Sequence, residues 1–284
     1  MYSTITSEIV DHVMIITLNR PGRMNAFNEK MCEEMIRAFD EADENDDVRV
    51  IILTGAGKAF CAGVDLENGA KTFMDHTPLV EYRDVGGVLS LRIFEMKKPI
   101  IAAINGAAVG IGITMTLPMD IRIASTDAKM GFVFARRGIT MEACSGWFLP
   151  RLVGMGKASE WIFTGRMISA KEAYEGRLVN KIVEPDELMP IAMEIASEIA
   201  ENTSSVSVTL SRQLMWTMLG ANHPVESHKI ESKMLHWTGK QADAQEGIEA
   251  FLEKRKAEFT MKSSSDMPPF YPWGLDRTYE SDKK

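Results

Sequence analysis

Branched apolar side chains gather along this chain in short blocks, VMIITL at 13–18, VIILT at 50–54, IIAAI at 100–104 and DIRIAS at 120–125, most of them bounded by turn-forming residues. Blocks this short and this rich in Ile and Val predict buried strands. Between the first two, Asn28 stands where it can cap a helix whose Met31, Met35, Phe39 and Ala42 share one face. Glu33, Glu34, Asp40 and Glu41 are then expected on the wet side. Another helix-like stretch ends before Pro99, and GIGITMTL opens a third helix ahead of the block at 120–125. Strand and helix alternate, which predicts an α/β core of layered parallel strands.

The texture changes after about residue 150. Ser169 and Glu172 form an S-x-x-E capping box, VNKIVE at 179–184 is the last predicted strand, and Pro185 breaks it. Windows 187–201, 204–219, 225–238 and 242–258 then carry apolar positions at helical spacing, with Gly220 and Pro224 as punctuation. Met215, Trp216, Met218, Met234 and Trp237 are expected as core or subunit-contact surface rather than as a cofactor box. From Met261 onward Ser, Pro and charge predict an irregular arm or frayed end.

Composition narrows the function classes. The 284 residues are 45% hydrophobic and 25% charged, which is ordinary for a globular protein with a sizeable core. A formal charge of -8 without a basic, aromatic-interleaved stripe argues against nucleic acid as a partner. Cys32, Cys61 and Cys144 are too scattered for a disulfide framework or a CxxC metal knuckle, and there is no HExxH. His223 and His228 lie in a polar stretch, so no metal site is expected. The first residues lack the basic and apolar regions of a signal peptide, and no apolar run reaches membrane-spanning length. No membrane association is expected, and a cytoplasmic location is.

Three segments have the texture of a site: GKAFCAGVDL (57–66), INGAAVGIGITMTL (104–117) and GITMEACSGW (138–147). Small-residue turns directly after strands let backbone N–H groups point into a cavity, and the turn at Gly110-Ile111-Gly112 also meets a helix N-terminus. Such turns can form an oxyanion hole, although taken singly a glycine after a strand more commonly just makes the turn. Glu142 has two possible uses. It can transfer a proton, or it can begin the helix that follows, where the dipole favours a carboxylate by roughly 0.3–1 kcal/mol.

In combination, NRPGRMNAF (19–27), GKAFCAGVDL, KKPIIAAINGAAVGIG (97–112) and FTGRMISAKEAYEGRLVNKIV (163–183) resemble the crotonase, or enoyl-CoA hydratase/isomerase, superfamily in order and spacing. The resemblance implies an α/β crotonase-like spiral of ββα units over 1–200, a helical trimerisation region over 201–260, and a tail over 261–284. It implies a homotrimer or dimer of trimers acting on an acyl-coenzyme A thioester, with no metal or redox cofactor. Carried over by position, the backbone N–H groups of Val64 and Ile111 are the donors to the thioester oxygen. Met24, Ala26, Ala62, Asp65 and Leu66 match the segments lining the coenzyme A groove. Phe251 and Lys254 in AFLEKRK match a segment that can reach the coenzyme.

The two glutamates that hydratases of this superfamily use are missing. Their positions read Thr114 and Phe134, neither of which titrates. MEACSGW instead resembles the SPEGCSSY-like segment of the peroxisomal-type Δ3,Δ2-enoyl-CoA isomerase branch, which implies Glu142 as a single proton shuttle. Apolar Met141, Trp147 and Phe134 should desolvate that carboxyl and raise its pKa. Two other activities are compatible with the same segments: an enoyl-CoA hydratase in which Glu142 alone activates water, and a non-catalytic acyl-CoA-binding member of the fold. Asp65 and Asp120 are expected in turn or salt-bridge duty, and Cys144 in packing.

Overall fold

The computed structural model describes residues 2–273, and the expected tail beyond residue 273 lies outside them. Among the described residues ten strands run in chain order: β1 Ile5–Val10, β2 Val13–Leu18, β3 Val50–Gly55, β4 Ala59–Cys61, β5 Ile100–Ile104, β6 Ala107–Val109, β7 Ile121–Ser125, β8 Lys129–Gly131, β9 Met167–Ser169 and β10 Lys181–Val183. The α-helices are α1 Glu29–Glu44, α2 Val85–Glu95, α3 Ile111–Thr114, α4 Ser145–Val153, α5 Met155–Thr164 and α6 Ala170–Glu175. They continue with α7 Leu188–Asn202, α8 Ser205–Met218, α9 Pro224–Thr238 and α10 Ala242–Glu253.

The larger sheet has the order β1-β2-β3-β5-β7-β10, and the smaller one β4-β6-β8-β9. All neighbours are parallel except the outermost pairs β1/β2 and β8/β9. The apolar blocks are continuous because the larger sheet is buried on both faces. Val50, Ile52, Ile101 and Ala103 face Leu188, Ala192 and Ala196 of α7. Ile51, Leu53, Ile100 and Ala102 share the opposite core with Met31, Met35 and Phe39 of α1. Asn28 caps α1 as expected, accepting from the Met31 amide at 2.9 Å.

Besides the three-residue strands β4, β6, β8 and β9, which no expected block marks, the structure departs from the sequence expectations in four places. β1 was not anticipated: beyond Ile5 its side chains are exposed, as on an edge strand paired on one side only. Glu34, expected in water, is 5% exposed and takes hydrogen bonds from the amides and hydroxyls of Ser3 and Thr4 at 2.6–3.0 Å. Burial pushes its carboxyl up, but those bonds outweigh it and hold the pKa down to about 2. The capping box is half made. Ser169 accepts from the Glu172 amide, while the Glu172 carboxylate goes to Arg166 and to the Trp161 indole. Finally, α10 stops at Glu253, well short of residue 258, where Lys254 turns left-handed at φ 57°.

One buried cation ties the helical region to the sheets. Arg212 of α8, 2% exposed, donates to Asp120 at 2.8 Å and to the carbonyls of Ile93 (2.9 Å), Phe94 (3.1 Å) and Met96. Asp120 also accepts from the Ile100 amide and the Trp216 indole, each at 2.8 Å, which is the salt-bridge duty expected of it. Removing one partner of such a buried pair costs about 3–5 kcal/mol. Residues 261–273 are irregular and lie on α8 and α9, with Met261, Met267, Phe270 and Trp273 against Val206, Leu210 and Met234.

Candidate active site

The three small-residue segments meet. β4 and β6 pair in parallel, so the turns that follow them leave the smaller sheet side by side. At Gly112 a Cβ would overlap the Cys61 carbonyl oxygen, so the second turn can approach the first this closely only with glycine there. Gly110, at φ 54° and ψ −123°, redirects the chain from β6 into α3 through a conformation that side chains disfavour. The amides of Val64 and Ile111 stand on these adjoining turns. Among the described residues neither has a backbone acceptor. The two donors named from sequence are therefore brought together, and both are free to meet an oxygen.

The proposed coenzyme strip is contiguous as well. Ala62 N–H donates to the Met24 carbonyl at 3.1 Å, Phe27 N–H to Gly63 at 2.8 Å and Asp65 N–H to Phe27 at 2.7 Å, zipping segment 24–27 to segment 62–66. Met24 and Leu66 are exposed, and Ala26, Ala62 and Asp65 half-buried. Asp65 itself is held by Arg20 (2.8 Å) and Arg23 (2.9 Å), so its carboxylate braces the strip. Burial pushes that carboxyl up, but the two arginines more than offset it and keep it below the ordinary range. Buried Asn25 completes the brace by bonding the Arg20 amide and the carbonyls of Ala56 and Ala59. Sequence reasoning singled out neither Asn25 nor the arginines, although all three sit in NRPGRMNAF.

Glu142 does not begin a helix. α4 starts at Ser145, and Ala143 and Cys144 intervene with φ of 56° and 54°. The dipole explanation for this carboxylate fails, because it stands outside the first turn of α4. It points instead toward Ile111 and the start of α2. A Cβ at Gly86 would overlap Glu142 Oε2 and come within 2.7 Å of Ile111 Cδ1. Glu142 Oε1 accepts from the Thr114 hydroxyl at 2.5 Å.

Burial is the main cause that lifts the Glu142 carboxyl from 4.5 to about 7. The Asp84 carboxylate adds to it, and the Thr114 bond works against it. The direction is the one expected from the apolar residues in the segment. Cys144, half-buried, has its thiol pushed up chiefly by burial, which suits packing better than nucleophilic attack.

Thr114 and Asp84 are the residues that sequence reasoning missed. In the sequence Thr114 marks only a missing glutamate, yet its hydroxyl can serve both charge states of Glu142. It donates to the carboxylate, or it turns to the Gly110 carbonyl 3.2 Å away and accepts from the protonated acid. Thr114→Val should therefore raise the Glu142 pKa above about 7, because the donor to the charged form is lost. The acid limb of the pH–rate profile should move to higher pH, and a limb that stays or falls would contradict this assignment. Asp84 was readable as a helix cap ahead of VGGVLSLRIF, but its second bond, to the Ala143 amide, joins residues far apart in sequence.

With this geometry in hand, the chain's relatives are informative. Residues 8–262 match the family model described as enoyl-CoA hydratase/isomerase. An enoyl-CoA hydratase of Alternaria alternata, ACTT3, is 42% identical over 254 residues, covering 88% of this chain and 83% of that protein. A 1,2-epoxyphenylacetyl-CoA isomerase of Escherichia coli is 31% identical, covering 92% of this chain and all of that one. The crystal structure of an enoyl-CoA hydratase from Bacillus anthracis superposes with a TM-score of 0.83 at 33% identity, covering 90% of this chain and 99% of its own. The chain belongs to the enoyl-CoA hydratase/isomerase family, an enzyme of the crotonase superfamily with the α/β crotonase fold. Among the described residues no helix is long and apolar enough to cross a membrane.

Proposed function

We propose that this enzyme is a Δ3,Δ2-enoyl-CoA isomerase of the peroxisomal-type branch, with Glu142 as its single proton carrier. One observation carries this: a half-buried carboxyl with a pKa near 7 beside two unengaged amides on adjoining turns, with Thr114 in place of a second acid. The Val64 and Ile111 amides hold the thioester oxygen, and the coenzyme lies along Met24, Ala26, Ala62, Asp65 and Leu66. The Glu142 carboxylate takes a proton from C2, and the C2–H electron pair delocalises onto the thioester oxygen as a dienolate. The double bond then settles between C2 and C3 as the same proton is delivered to C4. Atoms and charge balance without water or a cofactor. Each amide aimed at the charged oxygen contributes about 3–4 kcal/mol to lowering the barrier. Asp84 is no rival base, since its Oδ2 is already engaged by two amides.

The name of the Alternaria alternata relative favours a second reading, in which Glu142 alone activates water for hydration. Turnover of 3-enoyl-CoA against 2-enoyl-CoA separates the two. Isomerase action predicts a double-bond shift in the first substrate that far outpaces hydration of the second, and efficient hydration without any shift overturns the proposal. A failure to turn over either thioester would support the non-catalytic alternative. The assembly proposed is a homotrimer or dimer of trimers in the cytoplasm. Exposed apolar side chains on α8 to α10, among them Met215, Leu235, Ile248 and Leu252, support it, and sedimentation would measure it.

A further inference from the structure

We infer that Asp84 is a positioning residue for Glu142: by accepting from the amides of both Gly87 and Ala143, its Oδ2 pins the loop that carries Glu142 to the first turn of α2. The inference rests on Glu142 being the proton carrier. The bonds measure 2.6 Å to Gly87 and 3.1 Å to Ala143. Asp84 is the cap of α2, with extended backbone at φ −66° and ψ 130°. A Cβ at Gly87 would lie 2.6 Å from Asp84 Oδ1 and 3.0 Å from its Cγ, so the carboxylate folds over the helix end because that position is glycine. The two neighbouring glycines thus do different things. Gly86 makes room for Glu142 Oε2, and Gly87 makes room for Asp84.

The loop needs such an anchor. Ala143 and Cys144 are consecutive left-handed residues without being glycine, a conformation that persists only where the surroundings impose it. On its helix side the loop is closed locally, by the Ser145 amide and hydroxyl donating to the Glu142 carbonyl. Thr114 holds the Glu142 side chain, while the loop's backbone is tied to the rest of the site by Asp84, 59 residues from Ala143 in sequence.

The Asp84 charge has a second effect, because together with burial it disfavours ionised Glu142. The other titratable groups facing Glu142 are Cys61 from β4 and Cys144 from its own loop. Both thiols are pushed up, Cys61 to about 12, so they stay neutral through the working range. Asp84 is the charged neighbour whose removal the titration of Glu142 can report.

Two substitutions separate anchor from charge. Asp84→Asn keeps an acceptor oxygen for the amides and removes the charge. Asp84→Ser keeps a short cap for α2 and loses the reach to Ala143. The carboxyl titration of Glu142 is read by infrared difference between each protein and the same protein carrying Glu142→Gln, which requires no turnover. In Asp84→Asn the midpoint should fall from near 7 by about one pH unit, a tenfold change in the proton equilibrium. In Asp84→Ser, kcat for the double-bond shift should fall by about 10- to 100-fold, as expected for a displaced reacting group, with butyryl-CoA affinity nearly unchanged.

An unmoved midpoint in Asp84→Asn overturns the electrostatic role, and an unmoved kcat in Asp84→Ser overturns the anchoring role. Should Asp84→Ser fail to fold, as its melting curve would reveal, kcat of Asp84→Asn decides alone; a fall exceeding tenfold there would mean the charge rather than the anchor dominates, overturning the pin. If the wild type shifts no double bond, the proposed function falls, while the infrared midpoint still tests Asp84.

Discussion

Glu142→Gln is expected to lower kcat for the double-bond shift by about 10²- to 10⁴-fold, the range for losing a positioned general base, with little change in thioester affinity. The same substitution should stabilise the fold at pH 8. A carboxyl whose pKa rises from 4.5 to about 7 on folding contributes stability that is fully present below pH 4.5 and lost as the pH climbs through 7. Above that, the native state keeps an ionised group in a site that prefers the neutral acid. Glutamine carries no such charge, so melting at pH 8 should favour the variant by up to about 3 kcal/mol, and melting at pH 4 should show no such gain. In the wild type, kcat/KM should fall as the pH drops below about 7, where the base becomes protonated. A variant that keeps activity and gains nothing at pH 8 would place the base elsewhere.

Gly86→Ala is the second large effect, and its signature is opposite to that of an ordinary core defect. Gly to Ala inside a helix normally stabilises by about 0.5–1 kcal/mol. Here the new methyl group would collide with Glu142 Oε2 and crowd Ile111 Cδ1, both ends of side chains that can swing aside. The fold should survive and the carboxylate should not stay where it is. A displacement of about 1 Å in a reacting group can cost about 100-fold in rate, so kcat should fall by that order with the melting temperature held or raised. Gly112→Ala provides the contrast. Its methyl group meets the Cys61 backbone carbonyl, which has nowhere to go, and stability itself should drop. Equal losses of stability in both variants would refute the distinction.

Much of this was legible in the chain because it rests on local pattern. The buried strands appear as apolar blocks since α1 and α7 cover both faces of the larger sheet. The Asn28 cap needs only its own helix. The segments holding Val64, Ile111 and Glu142 announce themselves as small-residue turns and a lone carboxylate. What escaped notice depends on contacts between distant residues or on elements too short to have a period. Strands β4, β6, β8 and β9 have three residues each. Glu34 is buried because β1, an exposed edge strand, brings Ser3 and Thr4 to it. The partners that set the behaviour of Glu142, Thr114 and Asp84, lie 28 and 58 residues before it, and nothing in their immediate sequence points to it.

Helix α2 is fastened at both ends. Its first turn faces Glu142 and is capped by Asp84, while its last carbonyls, at Ile93 and Phe94, accept from Arg212 of α8. The surroundings of Glu142 and the carboxy-terminal helices are thereby joined through one helix. A chimera that swapped in another family member's helical region as a cassette, without residues matching Arg212 and Gln213 of α8, would leave the far end of α2 unfastened. Its kinetics would then suffer although every residue around the thioester had been preserved.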